Sequence, residues 1–216
     1  MFKIENSHVY SFSPTDKDPA KYDPSEETFS CIADAFDASI MSQRILIDDV
    51  TLPADGCQAI AEAIIKGNGL AVSDGSFDPD ISTTNETSGF QLAATKDDKE
   101  DRLNGVNWVP GSPIDQSAYR SELTGIAGIL ATTEIIVKHF GIVTGGITIA
   151  LDGESALDEA CGEWPLSNDQ ASYDLLQEIR NRVSELPIDV KWRWVEGHQK
   201  ERQGEMMMWM PWPRAI

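Results

Sequence analysis

The chain twice raises a short apolar run and ends it on Asp-Gly: LAVSDGS at 70–76 and TIALDGES at 148–155. Taken alone, each Asp-Gly reads as a hairpin turn. Each also reads as a buried strand that carries an acid out at its carboxyl end, where open α/β sheets keep their ligand sites. The surroundings weigh on the choice. SGFQLAAT (88–95) and LNGVNWVPG (103–111) read as two more strands, so the first run opens a meander of three. Helical spacing then runs through DQSAYRSELTGIAGILATTEIIVKHF (115–140), with Glu122, Ile126, Ile129, Leu130, Ile136, Val137 and Phe140 in phase and Asp115 or Ser117 as cap. After the second Asp-Gly come a helix, NDQASYDLLQEIRNRVSEL (168–186), and a strand, IDVKWRW (188–194), that alternates with period two. The order β-β-β-α-β-α-β predicts an α/β fold: a five-stranded mixed sheet, three antiparallel strands and then parallel additions, flanked by helices.

If the strands ending on Asp74 and Asp152 lie side by side and parallel, their carboxylates meet. Glu122 joins them, because it shares a helix face with Ile126 and Ile129 and so points toward the sheet. An unpaired carboxylate on a buried face costs several kcal/mol, roughly, and that face offers no evident Lys or Arg. A divalent cation resolves both the burial and the mutual repulsion. Mg²⁺ prefers carboxylate oxygens, and a pair of such ions can activate water and stabilise a leaving oxygen in phosphodiester cleavage.

The remaining sequence sets the context. Residues 1–66 read as a polar leader with Pro14, Pro19 and Pro24, a possible helix within 26–40, a strand at 44–50 and a helix within 53–69. The compact domain is placed at 67–205, with KDDKEDR (96–102) as a solvated hairpin loop and 206–216 as an atypical Met/Trp/Pro tail. No apolar run approaches the ~20 residues of a bilayer span, and no signal-peptide core is visible, so the expected setting is intracellular, cytoplasmic or nuclear, without a membrane. Cys31, Cys57 and Cys161 form no CxxC, which suggests neither a disulfide framework nor a zinc site. The formal charge is -19, from 17 Lys and Arg against 36 Asp and Glu. That argues against a free-standing binder of nucleic acid through basic contacts, but leaves room for phosphate met through a metal.

With these residues in place, the chain resembles the type 1 ribonuclease H family over about 67–200. Asp74-Gly75-Ser76 matches the family's first motif, Arg120-Ser121-Glu122-Leu123 its glutamate motif, Asp152 the aspartate closing its fourth strand, and WVEGHQ with His198 its histidine loop. The stretch VPGSPIDQSAYRSEL (109–123) looks most like the domains attached to retrotransposon reverse transcriptases. Transposase and integrase relatives carry their glutamate last, whereas here it comes second. The resemblance implies hydrolysis of the RNA strand of an RNA–DNA hybrid with two Mg²⁺ or Mn²⁺ ions. It implies Asp74, Glu122 and Asp152 as metal ligands, and His198 as a mobile helper in product release or proton transfer. Ser76, Ser117 and Tyr119 flank the acids and are candidate contacts to the hybrid, whose A-form minor groove displays 2'-hydroxyls. A reverse transcriptase portion of a longer polyprotein is the implied protein partner.

Two departures bear on activity. The family's fourth carboxylate is an aspartate downstream of the histidine, yet QKERQGEMMMWMPWPRAI after His198 has only Glu201 and Glu205 as acids. The expectation is a truncated or altered end, and a second metal that is weakly held. The segment between Asp152 and Trp192 also lacks the basic protrusion of free-standing members. The competing expectation is a catalytically inactive binding or scaffold module of the same fold.

Overall fold

The computed structural model describes residues 9–12, 29–39, 41–76, 87–95, 102–162 and 164–196. In chain order the elements are β1 (Val9–Phe12), α1 (Ile32–Asp37), α2 (Met41–Leu46), β2 (Asp49–Thr51), α3 (Gln58–Ile65), β3 (Gly69–Ser76), β4 (Thr87–Ala93) and β5 (Arg102–Trp108). A 3₁₀ turn (Pro113–Asp115) leads into α4 (Ala118–His139), followed by β6 (Gly146–Leu151), α5 (Glu154–Cys161), α6 (Tyr173–Glu185) and β7 (Asp189–Trp194). They build an α/β fold around one mixed sheet of order β1-β7-β6-β3-β4-β5-β2. β3, β4 and β5 are the antiparallel meander, while β6 runs parallel to β3 and β7 parallel to β6.

The five anticipated strands are all present, and two short ones extend the sheet. β1 pairs antiparallel with β7 and β2 antiparallel with β5, so both outer positions are taken by N-terminal residues. A strand of three or four residues is too short to show period two, so β1 was not anticipated and β2 was foreseen only within a longer strand at 44–50.

α4 is the central helix. Ser117 caps it by accepting the Arg120 N–H at 3.1 Å, and Lys138 and His139 occupy its last turn, where cations complement the helix dipole. It is buried on almost every side, from Leu123 through Val137. Its approach to the sheet is close: a Cβ at Gly125 would lie 2.6 Å from both Ser73 Cβ and Ser88 Oγ. That intimacy lowers the first turn of α4 onto the ends of β3 and β4.

The N-terminal elements share this core. Ile32, Ala35, Leu46, Ile47, Cys57, Ile60, Ala61 and Ile64 belong to the same buried cluster as Ala71, Leu92, Ile126 and Ile149. The possible helix at 26–40 corresponds to α1 and the helix within 53–69 to α3, which Asp55 caps by accepting N–H groups of Cys57 and Ala59. The strand expected at 44–50 is a correction: its first half is the end of α2, and the strand is Asp49–Thr51. Gln43, Leu46 and Ile47 are buried at helical spacing while Ile45 is exposed, so period 3.6 fits where a run of apolar letters suggested a strand. α5 was not anticipated; its buried Ala156, Leu157 and Ala160 make a two-turn stripe too short to stand out. All but Arg102 of the loop expected at 96–102, and everything from 197 onward, lie outside the described residues.

Candidate metal centre

β3 continues through the Asp-Gly-Ser that resembles a turn. Asp74 pairs with Gly89, Gly75 with Ser88 and Ser76 with Thr87, all within the β3–β4 ladder. Gly75 is absent from the positive-φ residues, and Gly153 has φ -73. Neither glycine therefore serves a left-handed turn. They serve space. A Cβ on Gly75 would lie 2.7 Å from the Glu122 backbone nitrogen and 2.8 Å from Ser121 Cβ. A Cβ on Gly153 would lie 3.0 Å from Glu122 Cγ and 3.2 Å from Cδ. The two glycines form a cradle for the first turn of α4, and each aspartate stands immediately before one of them.

Parallel pairing sets the aspartates side by side. The β3–β6 ladder ends at Val72↔Ala150, and the same register carried two residues on brings Asp74 opposite Asp152. Trp194 at the end of β7 donates its indole N–H to the Asp152 carbonyl at 3.1 Å, and the Val195 N–H bonds the Leu151 carbonyl at 3.0 Å. These two bonds fix the backbone that turns away after β6. Glu122 completes the group: one carboxylate oxygen from each of Asp74, Glu122 and Asp152 lies within 4.8 Å of the others.

The electrostatics of Glu122 are those of a ligand awaiting a cation. The Gly75 N–H donates to its Oε1 at 3.3 Å, while Oε2 is buried without a hydrogen-bond partner. Burial raises its pKa from 4.5 to about 8, the Asp152 charge adds to that, the Gly75 N–H opposes it, and the Asp74 charge contributes a little more. Three hard oxygen donors from three elements, one of them orphaned, fit a Mg²⁺- or Mn²⁺-type cation and not a soft metal.

Arg120, two residues before Glu122, is no counter-ion to this group. Its buried guanidinium donates from Nε to the Pro110 carbonyl at 2.6 Å and grips Asp174 with two bonds of 2.9 and 2.6 Å. It thereby ties the start of α4 to the chain after β5 and to the first turn of α6. The Arg120 bond holds the Asp174 carboxyl below its usual range, against some burial.

The other candidate residues are placed as follows. Ser76 ends β3, exposed. Ser117 is the helix cap just described. The Tyr119 hydroxyl donates to Glu159 Oε2 at 2.6 Å, an oxygen that also accepts from Gln170 Nε2 at 2.6 Å. Burial and this bond push the Tyr119 phenol upward. The structure thus brings Asp74, Glu122 and Asp152 together and places Ser117 and Tyr119 on the adjoining turn of α4 with their hydroxyls engaged. His198, Glu201 and Glu205 lie outside the described residues.

Sequence reasoning missed Asp174, because nothing local marks an acid at a helix start as the partner of a distant arginine. It read the two glycines only as turn formers, although their recurrence directly after both aspartates was the available signal.

No protein-family model matches the chain, and no curated protein matches it. Among solved structures, ribonuclease H1 from the halophilic archaeon Halobacterium salinarum NRC-1 aligns at TM-score 0.44 and 15% identity, covering 62% of this chain and 89% of that one. The N-terminal ribonuclease H domain of a Mycobacterium tuberculosis protein, solved as a fusion with maltose-binding protein, aligns at 0.41 and 10% identity, covering 62% and 85%. LC9-RNase H1, described as a type 1 ribonuclease H with the type 2 active-site motif, aligns at 0.44 and 18%, covering 61% and 64%.

Proposed function

We propose that this chain is a divalent-metal-dependent ribonuclease H that cuts the RNA strand of RNA–DNA hybrids. The observation that carries the reading is the orphaned, buried Glu122 Oε2, grouped with Asp74 and Asp152 at the ends of two parallel strands. The order of Asp74-Gly75-Ser76, Arg120-Ser121-Glu122-Leu123 and Asp152, which resembles that family, supplies the reaction class.

Asp74, Glu122 and Asp152 would hold the cations, two Mg²⁺ or Mn²⁺ ions with the second weakly held. Bound there, the ions supply an activated water and charge stabilisation at the leaving oxygen. The chain's own part is orientation and proton control. The Gly75 N–H aims Glu122 Oε1, the Trp194 indole steadies Asp152, and the Glu122 carboxyl gives up its proton as a cation enters. Ser76, exposed beside the acids, is free to meet the hybrid. For Ser117 and Tyr119 the same role requires exchanging the Arg120 N–H and the Glu159 carboxylate for substrate. His198 is assigned to product release or proton transfer, and Glu201 or Glu205 stands in for the absent aspartate. Retroelement origin, a reverse transcriptase partner and the 67–205 domain limits rest on the sequence resemblance. No helix among the described residues is long and apolar enough to cross a membrane.

Cleavage of hybrid carrying labelled RNA, with Mg²⁺ or Mn²⁺ and with Asp74→Asn beside the parent, tests the reading. The expected result is weak cleavage, better with Mn²⁺, abolished in D74N. Intact RNA under both metals overturns it. That residues 199–216 contain no aspartate favours a second reading, a non-catalytic module, which predicts hybrid binding and metal stabilisation without cleavage.

A further inference from the structure

Four tryptophans fall among the described residues, and three of them are engaged. Trp192 is buried in the core, Trp194 packs against the core and bonds the Asp152 carbonyl, and Trp164 lies 5.8 Å beneath the Arg180 guanidinium. Trp108 is different. It is 55% exposed, lies outside the core cluster, and its indole has no hydrogen bond or ring contact among the described residues. Exposure alone asks for no partner, since single surface hydrophobics are common; the position of this ring relative to the acids does.

Its place is specific. Trp108 pairs with Thr87, and Thr87 pairs with Ser76, so the three form one row across β5, β4 and β3. Among the described residues, that row is the last of the meander at the Asp74 end of β3. Gly75 faces α4, so by strand alternation Asp74, Ser76, Thr87 and Trp108 project on the opposite pleat face. Two strand spacings and two residues separate Trp108 from Asp74, roughly 12 Å, a span that a few nucleotides of one strand cover.

Charge says what such a ring is for. With a net charge of -19, this protein repels phosphate, and its buried arginines, Arg120 and Arg182, are consumed by carboxylates. Contacts that do not depend on charge therefore weigh more in any affinity for a nucleic acid, beside whatever the metal centre supplies. Aromatic stacking is tolerant of sequence.

We propose that Trp108 is the platform on which a nucleic-acid strand bound at the metal centre packs, within a few nucleotides of the cut. This rests on the ribonuclease H reading and adds an affinity determinant to it. Binding of fluorescent RNA–DNA hybrid, single-stranded RNA and single-stranded DNA is measured by anisotropy in Ca²⁺, for the parent, Trp108→Ala and Trp108→Phe. Expected are an affinity loss of about fivefold or more in W108A, partial retention in W108F, and an unchanged metal-induced rise in melting temperature. A loss confined to single strands assigns base stacking; a loss with hybrid assigns contact to the sugars of the duplex. A parent that binds hybrid or cleaves it, with W108A binding equally well, overturns the platform alone. A parent that binds none of the three probes overturns both the platform and the ribonuclease reading.

Discussion

Replacing Glu122 with Gln should stabilise the metal-free protein while removing a metal ligand. Folded, this carboxyl keeps its proton to about pH 8, whereas in the unfolded chain it releases it near 4.5. Between those values the unfolded state binds fewer protons, so stability falls as pH rises; the protonated carboxyl's contribution is whole below 4.5 and gone above about 8. At about 1.4 kcal/mol per unit, a neutral isostere escapes a deficit of about 3 kcal/mol at pH 7 and less than about 1 kcal/mol at pH 5. Gln keeps the oxygen that accepts the Gly75 N–H, and its amide replaces the orphaned Oε2 with a donor facing the Asp74 and Asp152 carboxylates. In a chain of this size about 3 kcal/mol corresponds to a rise of roughly 6–12 °C in Tm. The assay is thermal unfolding in EDTA at pH 5, 7 and 8.5 for parent and E122Q. The gap should open with pH, and millimolar Mg²⁺ should narrow it by raising only the parent. Equal Tm values at pH 7 in EDTA, or a gap that shrinks as pH rises, would refute the account of Glu122 as a buried carboxyl awaiting a cation.

Three further outcomes follow from the same geometry. Gly153→Ala drives a methyl against Glu122 Cγ at 3.0 Å and should cost about 1–3 kcal/mol in urea unfolding; the metal-induced Tm rise should shrink with it, and an intact metal response would show that the cradle does not position Glu122. Asp174→Ala, although Asp174 is itself largely exposed, strands the buried Arg120 guanidinium and should cost about 3 kcal/mol, measured by the same denaturation. Because Arg120 depresses the Asp174 carboxyl, that pair's contribution is present above the ordinary aspartate range and fades as pH falls through the depressed value, so the D174A deficit should close in acid. Asp152→Asn should abolish the rise in Tm that Mg²⁺ or Mn²⁺ gives the parent; an undiminished rise would place the metal elsewhere.

What could be read from the letters, and what could not, divides by range. Period two across Ile188–Trp194 and period 3.6 across 115–140 report side-chain burial directly, so β7 and α4 were visible, and Glu122 was visible as an inward acid because it keeps phase with Ile126 and Ile129. The parallel neighbours β3 and β6 followed from two strands ending alike. Hidden were relations made only in three dimensions. Gly75 and Gly153 look like turn residues until α4 is laid against them. Arg120 stands out only as part of the Arg-x-Glu-Leu motif, and its hold on Pro110 and Asp174 is seen only in the fold. The pairing of β1 and β2 depends on neighbours far away in the chain, and three or four letters carry no period.

The way those two short strands are spent has a practical side. A fragment cut at Gly67 would keep the acids, the meander and α4, and so would retain every group assigned to chemistry. It would also bare the hydrogen-bonding rims of β5 and β7 at once, and strip Ile60 and Ile64 from the surface they cover. Unpaired rims of that kind recruit strands from other molecules. β1, β2 and α3 therefore shield the portion that carries the acids, and a trimmed version is expected to associate with itself through its sheet margins.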